Sequence, residues 1–168
     1  MKKLSVISLL SLSMLFNAHM AQAESERALS EKVNAFCAEV TPGAAYKITL
    51  DQAYQILKKS GFSLGDKDDD SLTILQEGRK ILLFQMDDGD FQLYYGTSGI
   101  KLTPEQINEW NRTKRLSRAY IDREGDPVLE SDLITDGGIT EKNLIAFVKT
   151  FTTVSVPSYR MFLLKHGE

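Results

Sequence analysis

The chain has 168 residues, with 20 Lys and Arg against 23 Asp and Glu and a formal net charge of −3. That length suits one ordinary domain with enough chain to bury a core unaided, and the acidic balance argues against nonspecific binding of nucleic acid or of an anionic membrane surface. A single cysteine, Cys37, excludes a thiolate zinc cage, a C-x-x-C redox pair and a disulfide within the chain.

Three regions follow one another at the N-terminus. Lys2 and Lys3 form a short basic start, Leu4 to Phe16 is apolar and uncharged, and Ala21-Gln22-Ala23 sets small residues in A-x-A spacing. The order predicts a cleavable secretory signal peptide over 1–23, with Glu24 first in the mature chain and a periplasmic or secreted location. The apolar run is shorter than the ~20 residues that span a bilayer, and no later stretch reaches that length, so no stable membrane insertion is expected after cleavage. Glu24 also stands where lipid anchoring would need a cysteine. Processing leaves 145 residues and a net charge of −5, because Lys2 and Lys3 depart. It also removes His19, so His166 is the only mature histidine and cannot build a histidine metal site. Cys37 is either a small buried hydrophobe or a link between two chains.

Leu29, Val33, Phe36 and Val40 recur at helical spacing, which predicts a short amphipathic helix over Ser25–Val40, ended by Thr41-Pro42-Gly43. Residues 24–45 thus read as an added helix and linker, and 46–168 as the main domain. A stronger helix spans Thr49–Ser60, with a capping box from Thr49 to Gln52, apolar Leu50, Ala53, Tyr54 and Leu57, and Gly61 as its stop. An acidic loop follows, Gly65-Asp66-Lys67-Asp68-Asp69-Asp70. Three strand-like runs come next, Ser71–Gln76, Lys80–Met86 and Phe91–Gly96, separated by Glu77-Gly78 and by Asp87-Asp88-Gly89-Asp90. The unbroken apolar run Ile81-Leu82-Leu83-Phe84 predicts a central strand covered on both faces.

Thr103, Pro104 and Gln106 open another helix, whose apolar face holds Ile107 and Trp110. Arg118–Arg123 and Pro127–Leu133 read as a second hairpin around Glu124-Gly125-Asp126. After the turn Asp136-Gly137-Gly138, Thr140 caps a helix carrying Leu144, Phe147, Val148 and Phe151, and Pro157 begins a last helical piece with Tyr159, Phe162 and Leu163 on one side. Strands joined by short turns are antiparallel. The order predicts an α+β fold, an antiparallel sheet of about five strands with helices packed on one face.

Few residues suggest chemistry. Asp66, Asp68, Asp70 and Glu77 match positions 1, 3, 5 and 12 of a calcium loop, but Ser71 stands where that loop turns on glycine, and a strand follows where a helix should. A solvated acidic turn explains the same residues. Asp87, Asp88 and Asp90 suit a tight hairpin, and a glycosidase pair would need them across a cleft. Asp136-Gly137-Gly138 lacks the spacing of a nucleotide fingerprint, and no serine sits in a G-x-S-x-G elbow. Arg112, Lys114, Arg115 and Arg118 form a basic cluster suited either to an acidic partner or to a solvated helix end. No catalytic or cofactor-binding residue is expected from these patterns.

The second half carries a recognisable series: Ile107 and Trp110-Asn111, then Ser117-Arg118-Ala119-Tyr120-Ile121-Asp122, then Gly125-Asp126-Pro127-Val128-Leu129-Glu130-Ser131-Asp132-Leu133, then Gly137-Gly138 and Leu144. In this it resembles the YbjN family of bacterial sensory-transduction regulators, over about Ile48 to Leu164. The resemblance implies a fold like that of type III secretion chaperones, often dimeric and binding extended client segments, with no catalytic residues to carry over. The signal peptide and the Ser25–Val40 helix depart from the family pattern, and an exported copy cannot regulate transcription in the cytosol. Three readings follow: a chaperone-like protein-interaction module with an unidentified protein partner and a possible homodimer; a calcium- or ligand-responsive sensor using the acidic loop; and a carboxylate hydrolase.

Overall fold

The structure is a computed structural model that describes residues 45–167. The expected signal peptide, the Ser25–Val40 helix and Cys37 lie outside the described residues.

Helix α1 (Leu50–Lys59) is followed by β1 (Ser63–Lys67), β2 (Ser71–Gln76), β3 (Arg79–Gln85) and β4 (Phe91–Gly96). Helix α2 (Pro104–Thr113), β5 (Arg118–Ile121), β6 (Pro127–Leu133) and helix α3 (Glu141–Thr150) come next. A π-helical turn (Phe151–Ser155) leads into α4 (Val156–His166). The fold is α+β, and all six strands pair antiparallel in the order β1-β2-β3-β4-β6-β5.

Local chemistry sets the element boundaries. Thr49, Thr103 and Thr140 each close a full capping box with the residue three positions on, satisfying helix-start N–H groups that would otherwise lack partners. Between β2 and β3, Glu77 and Gly78 both have positive φ (48° and 76°), the two-residue turn whose twist matches a hairpin. At Gly138 (φ 85°) a Cβ would lie 2.9 Å from the Tyr46 nitrogen, so only glycine lets the chain approach the Tyr46–Ile139 bridge.

The core fills one side of the sheet. Leu72, Ile74, Ile81, Leu83, Phe91, Leu93, Tyr95, Ala119 and Leu129 point to it. They meet Ala53 and Leu57 of α1, Ile107 and Trp110 of α2, Leu144 and Val148 of α3, and Tyr159 and Leu163 of α4. Trp110 stands edge-on to Tyr159 and Phe162, with ring centroids 4.9 and 5.5 Å apart.

The structure corrects two expectations. First, the acidic segment is not wholly loop: Ser63–Lys67 forms a sixth strand, β1, at the sheet edge. Its pairing slips between Leu64 and Lys67, and its charged Asp66 and Lys67 suit an edge but mask the strand pattern. Second, β3 is central, but Leu82 and Phe84 are only half-buried, on the side that no described helix covers. The last helical piece begins where Pro157 indicated, as α4 (Val156–His166) with Pro157 in its first turn. The helix runs on from α3 through the π turn, where Val156 N–H bonds the Phe151 carbonyl. Thr152 Oγ1 donates to the Val148 carbonyl (2.9 Å) and Thr153 Oγ1 to that of Lys149 (2.8 Å), so side-chain hydroxyls supply donors to carbonyls of the turn that leads into the π segment.

Candidate functional site on the open sheet face

Residues alternate across a strand, so those between the core positions form a second face. Its centre is a buried carboxylate. Glu130 on β6 stands opposite Arg118 on β5 and Tyr94 on β4. Glu130 Oε2 accepts from Arg118 Nε at 3.1 Å and Nη2 at 2.9 Å, and Oε1 accepts from the Tyr120 hydroxyl at 2.6 Å. A buried carboxylate is tolerable only when paired and hydrogen-bonded in this way. Arg118 also reaches Asp132 at 3.8 Å, and Gln92 Nε2 donates to Asp132 Oδ1 at 2.7 Å.

Aromatic rings flank this charged centre. Phe84 and Tyr94 meet edge to face at 6.3 Å, and Leu82 lies across the β3–β4 pairing from Tyr94. The Tyr94 hydroxyl lies 2.8 Å from where a Cβ would stand at residue 96, so Gly96 is what leaves it room. Val128 is buried on this face and is not part of the core cluster, so the face is partly sealed by its own side chains. Burial, then the Glu130 hydrogen bond, raises the Tyr120 phenol well above its ordinary value. Burial, then the neighbouring Asp122 and Glu130 charges, also raises that of Tyr94. The Glu130 hydrogen bond raises the Arg118 guanidinium further, keeping it charged. Such a face can stack on apolar groups, donate through Arg118 and accept through Asp132 from fixed positions.

The sheet edges differ from the face. Asn111 of α2 donates from Nδ2 to the Ala119 carbonyl (3.0 Å) and accepts at Oδ1 from the Ala119 N–H (2.8 Å). One side-chain amide thus occupies the outward backbone groups of Ala119 on β5, as a neighbouring strand would. At the other edge, the irregular register of β1 interrupts the row of backbone groups.

The acidic residues singled out in the sequence are not brought together. Asp66 is on β1, and Asp68 and Asp70 are in the β1–β2 turn, where Asp68 accepts from Ser71 Oγ at 3.3 Å. Glu77 lies in the turn at the far end of β2, about 20 Å away by strand rise, and pairs with Arg79 at 2.8 Å. Among the described residues, no group of three or more His, Cys, Asp or Glu could hold a metal ion. Asp88 braces its own turn through the Asp90 N–H, and Asp90 accepts from the backbone and hydroxyl of Thr135, tying the β3–β4 turn to the loop after β6.

The basic cluster is divided too. Arg112 pairs with Glu109, Lys114 lies 5.8 Å from the centre of the Trp110 ring, and Arg118 turns to Glu130. Glu130, Tyr120 and Tyr94 escaped sequence reasoning as a site. The available signal was alternation: Arg118 and Tyr120 share one face of β5, with acids Glu130 and Asp132 on the same face of β6.

The chain matches the YbjN family, described as "Putative bacterial sensory transduction regulator", over residues 49–163, from the N-cap of α1 to Leu163 in α4. Neither the curated proteins nor the solved structures gave a match. The match covers well over half of the chain and takes in every strand of the sheet, so the protein belongs to the YbjN family.

Proposed function

We propose that the protein is an exported, non-enzymatic interaction module, chaperone-like in shape, whose partner is a protein segment held on the open sheet face. The observation that carries this reading is the face itself. Half-buried Leu82, Phe84, Tyr94 and Tyr120 surround an Arg118–Glu130 pair, with no described helix packed over them. Aromatic and arginine side chains in fixed positions are the commonest anchors of protein recognition. The Asn111 amide on the outward groups of Ala119 favours capture on the face over strand addition at β5.

Export rests on the basic, apolar and A-x-A regions of residues 1–23. N-terminal sequencing of the protein from fractionated cells should begin at Glu24. An intact Met1 in the cytosolic fraction would overturn the export reading.

Crosslinking in intact cells, with a tagged chain, tests the binding reading. A reproducible partner should be lost with Phe84→Ser and with Tyr94→Ser, while both variants keep their circular dichroism spectrum. Undiminished crosslinking in folded variants would remove the face from the reading.

A further inference from the structure

A second surface lies on the opposite side of the molecule. In the last helix, Val156, Tyr159 and Leu163 enter the core, so the opposite side of the helix turns away from the sheet. On that side stand Val154 of the π turn and Met161 and Leu164 of α4, which are 55%, 67% and 75% exposed, and Pro157, also exposed. The spacing of 154, 157, 161 and 164 is three, four and three, which sets all four on one stripe about 15 Å long. Such a row of large exposed apolar side chains is costly in water unless it has a use.

Cations flank the stripe on both sides. Arg160 falls three residues after Pro157 and four before Leu164, on one flank, and Lys165 falls four after Met161, on the other. On the Lys165 side the surface dips into a groove of about 580 Å³ between α2 and α4, lined by Met161, Phe162, Lys165, Lys114, Thr113 and Glu109 among others. Glu109, the acid of the groove, is engaged by Arg112. Among the described residues, Lys114 and Lys165 have no ion-pair partner. Behind the groove, the Trp110 ring packs on Phe162 under Lys114, and its buried Nε1 has no acceptor among the described residues.

We infer that the α4 stripe and the α2–α4 groove together form a docking surface for an acidic amphipathic helix from another protein. Its apolar residues, spaced as on α4, lie along Val154, Pro157, Met161 and Leu164, and one anchor enters the groove. Its Asp or Glu residues meet Arg160, Lys165 and Lys114. This is helix-in-groove recognition, with charge selecting the partner. An anionic bilayer fits less well: the concave groove suits an inserted side chain, and the chain's net charge of −3 opposes its approach to a broad negative surface. This surface is separate from the sheet face, so either can fail without the other.

The sequence holds one tryptophan, Trp110, which makes its fluorescence a reporter of the groove. The processed protein is titrated with a synthetic four-turn peptide bearing leucines three, four and three residues apart and glutamates on both flanks. Controls are its scrambled isomer, its glutamate-to-lysine version, and vesicles of equimolar phosphatidylcholine and phosphatidylglycerol. A saturable emission change with the acidic peptide is expected, absent with the scrambled and lysine peptides and weakened by salt. Met161→Glu should raise the Kd about tenfold, some 1.4 kcal/mol of binding. The double variant Lys114→Glu, Lys165→Glu should prefer the lysine peptide. All substituted positions are exposed, so melting temperatures should hold. Equal titration by the scrambled peptide, no response to the acidic one, or a response to vesicles alone would each overturn the proposal.

Discussion

The two faces of the sheet are built from the same strands and obey different physics. On β3, Leu83 points to the helices and is fully buried, while its neighbour Leu82 points the other way and is half-buried. The buried strand residues of the helix-covered face are apolar. The open face holds a buried glutamate whose two oxygens are taken by Arg118 and Tyr120. The covered face gains stability from the area it removes from water. The open face gains order instead, because a paired buried charge adds little net stability yet fixes the side chains around it. A face of that kind suits recognition, where prepositioned groups lower the cost of binding.

The sharpest way to break this comparison is to make one truncation twice. Leu83→Ala should cost about 2–5 kcal/mol, since it leaves a cavity in packed surroundings. Leu82→Ala should cost less than about 1 kcal/mol, since little packing lies over it. Urea unfolding of both variants reads the difference. Equal costs would mean that the second face is as closed as the first.

That pair also marks what could be read in the chain. Helix starts were legible because Thr49, Thr103 and Thr140 announce them through local hydrogen bonds that need no tertiary context. Ser71–Gln76, Phe91–Gly96 and Pro127–Leu133 coincide with β2, β4 and β6 because turn residues bracket each run. β1 was hidden because its pattern is that of an edge: Asp66 and Lys67 are tolerated where one side of the strand has no neighbour. The apolar run of β3 suggested cover on both sides, although half of it faces the open side; periodicity cannot distinguish a covered face from a half-buried one. The Glu130 network was out of reach for another reason. Its members are adjacent only through the register of three strands, which brings residues 94, 118 and 130 together. A scan along the chain meets Arg118 first as part of a basic cluster with Arg112 and Lys114, which the fold then sends to other partners.

A smaller effect separates face from edge. Asn111→Ala removes the amide that satisfies both outward backbone groups of Ala119. The expected loss is about 1–3 kcal/mol if those groups stay shielded from water, and less if water reaches them. The more specific outcome is association: an uncovered β5 edge should pair with that of another copy, seen as a concentration-dependent rise in mass by light scattering. A variant that loses stability yet remains at its original mass would show that Asn111 supports the fold without guarding the edge.

The smallest effect compares two tyrosines, one per face, by their response to alkali. Burial, then the nearby Tyr95, raises the Tyr159 phenol on the covered side, and burial, then Glu130, raises that of Tyr120 on the open side. In both cases the folded state holds the proton more tightly than the unfolded chain, whose tyrosines titrate near pH ~10. Below that pH both states are protonated and the contribution to stability is complete. Above it the unfolded chain releases its proton first, so stability falls as pH rises toward the folded-state values. Tyr159→Phe and Tyr120→Phe should each make that decline shallower between about pH 10 and 11. At neutral pH, Tyr120→Phe should cost on the order of 1 kcal/mol, because Glu130 keeps Arg118 but loses its second donor. The larger flattening should come from Tyr159, which is fully buried and donates to the Val128 carbonyl at 3.4 Å, whereas Tyr120 is only half-buried. If Tyr120 flattens the decline as much as Tyr159, the open face excludes water as well as the helix-packed one does, and the contrast between the two faces fails where it is most sensitive.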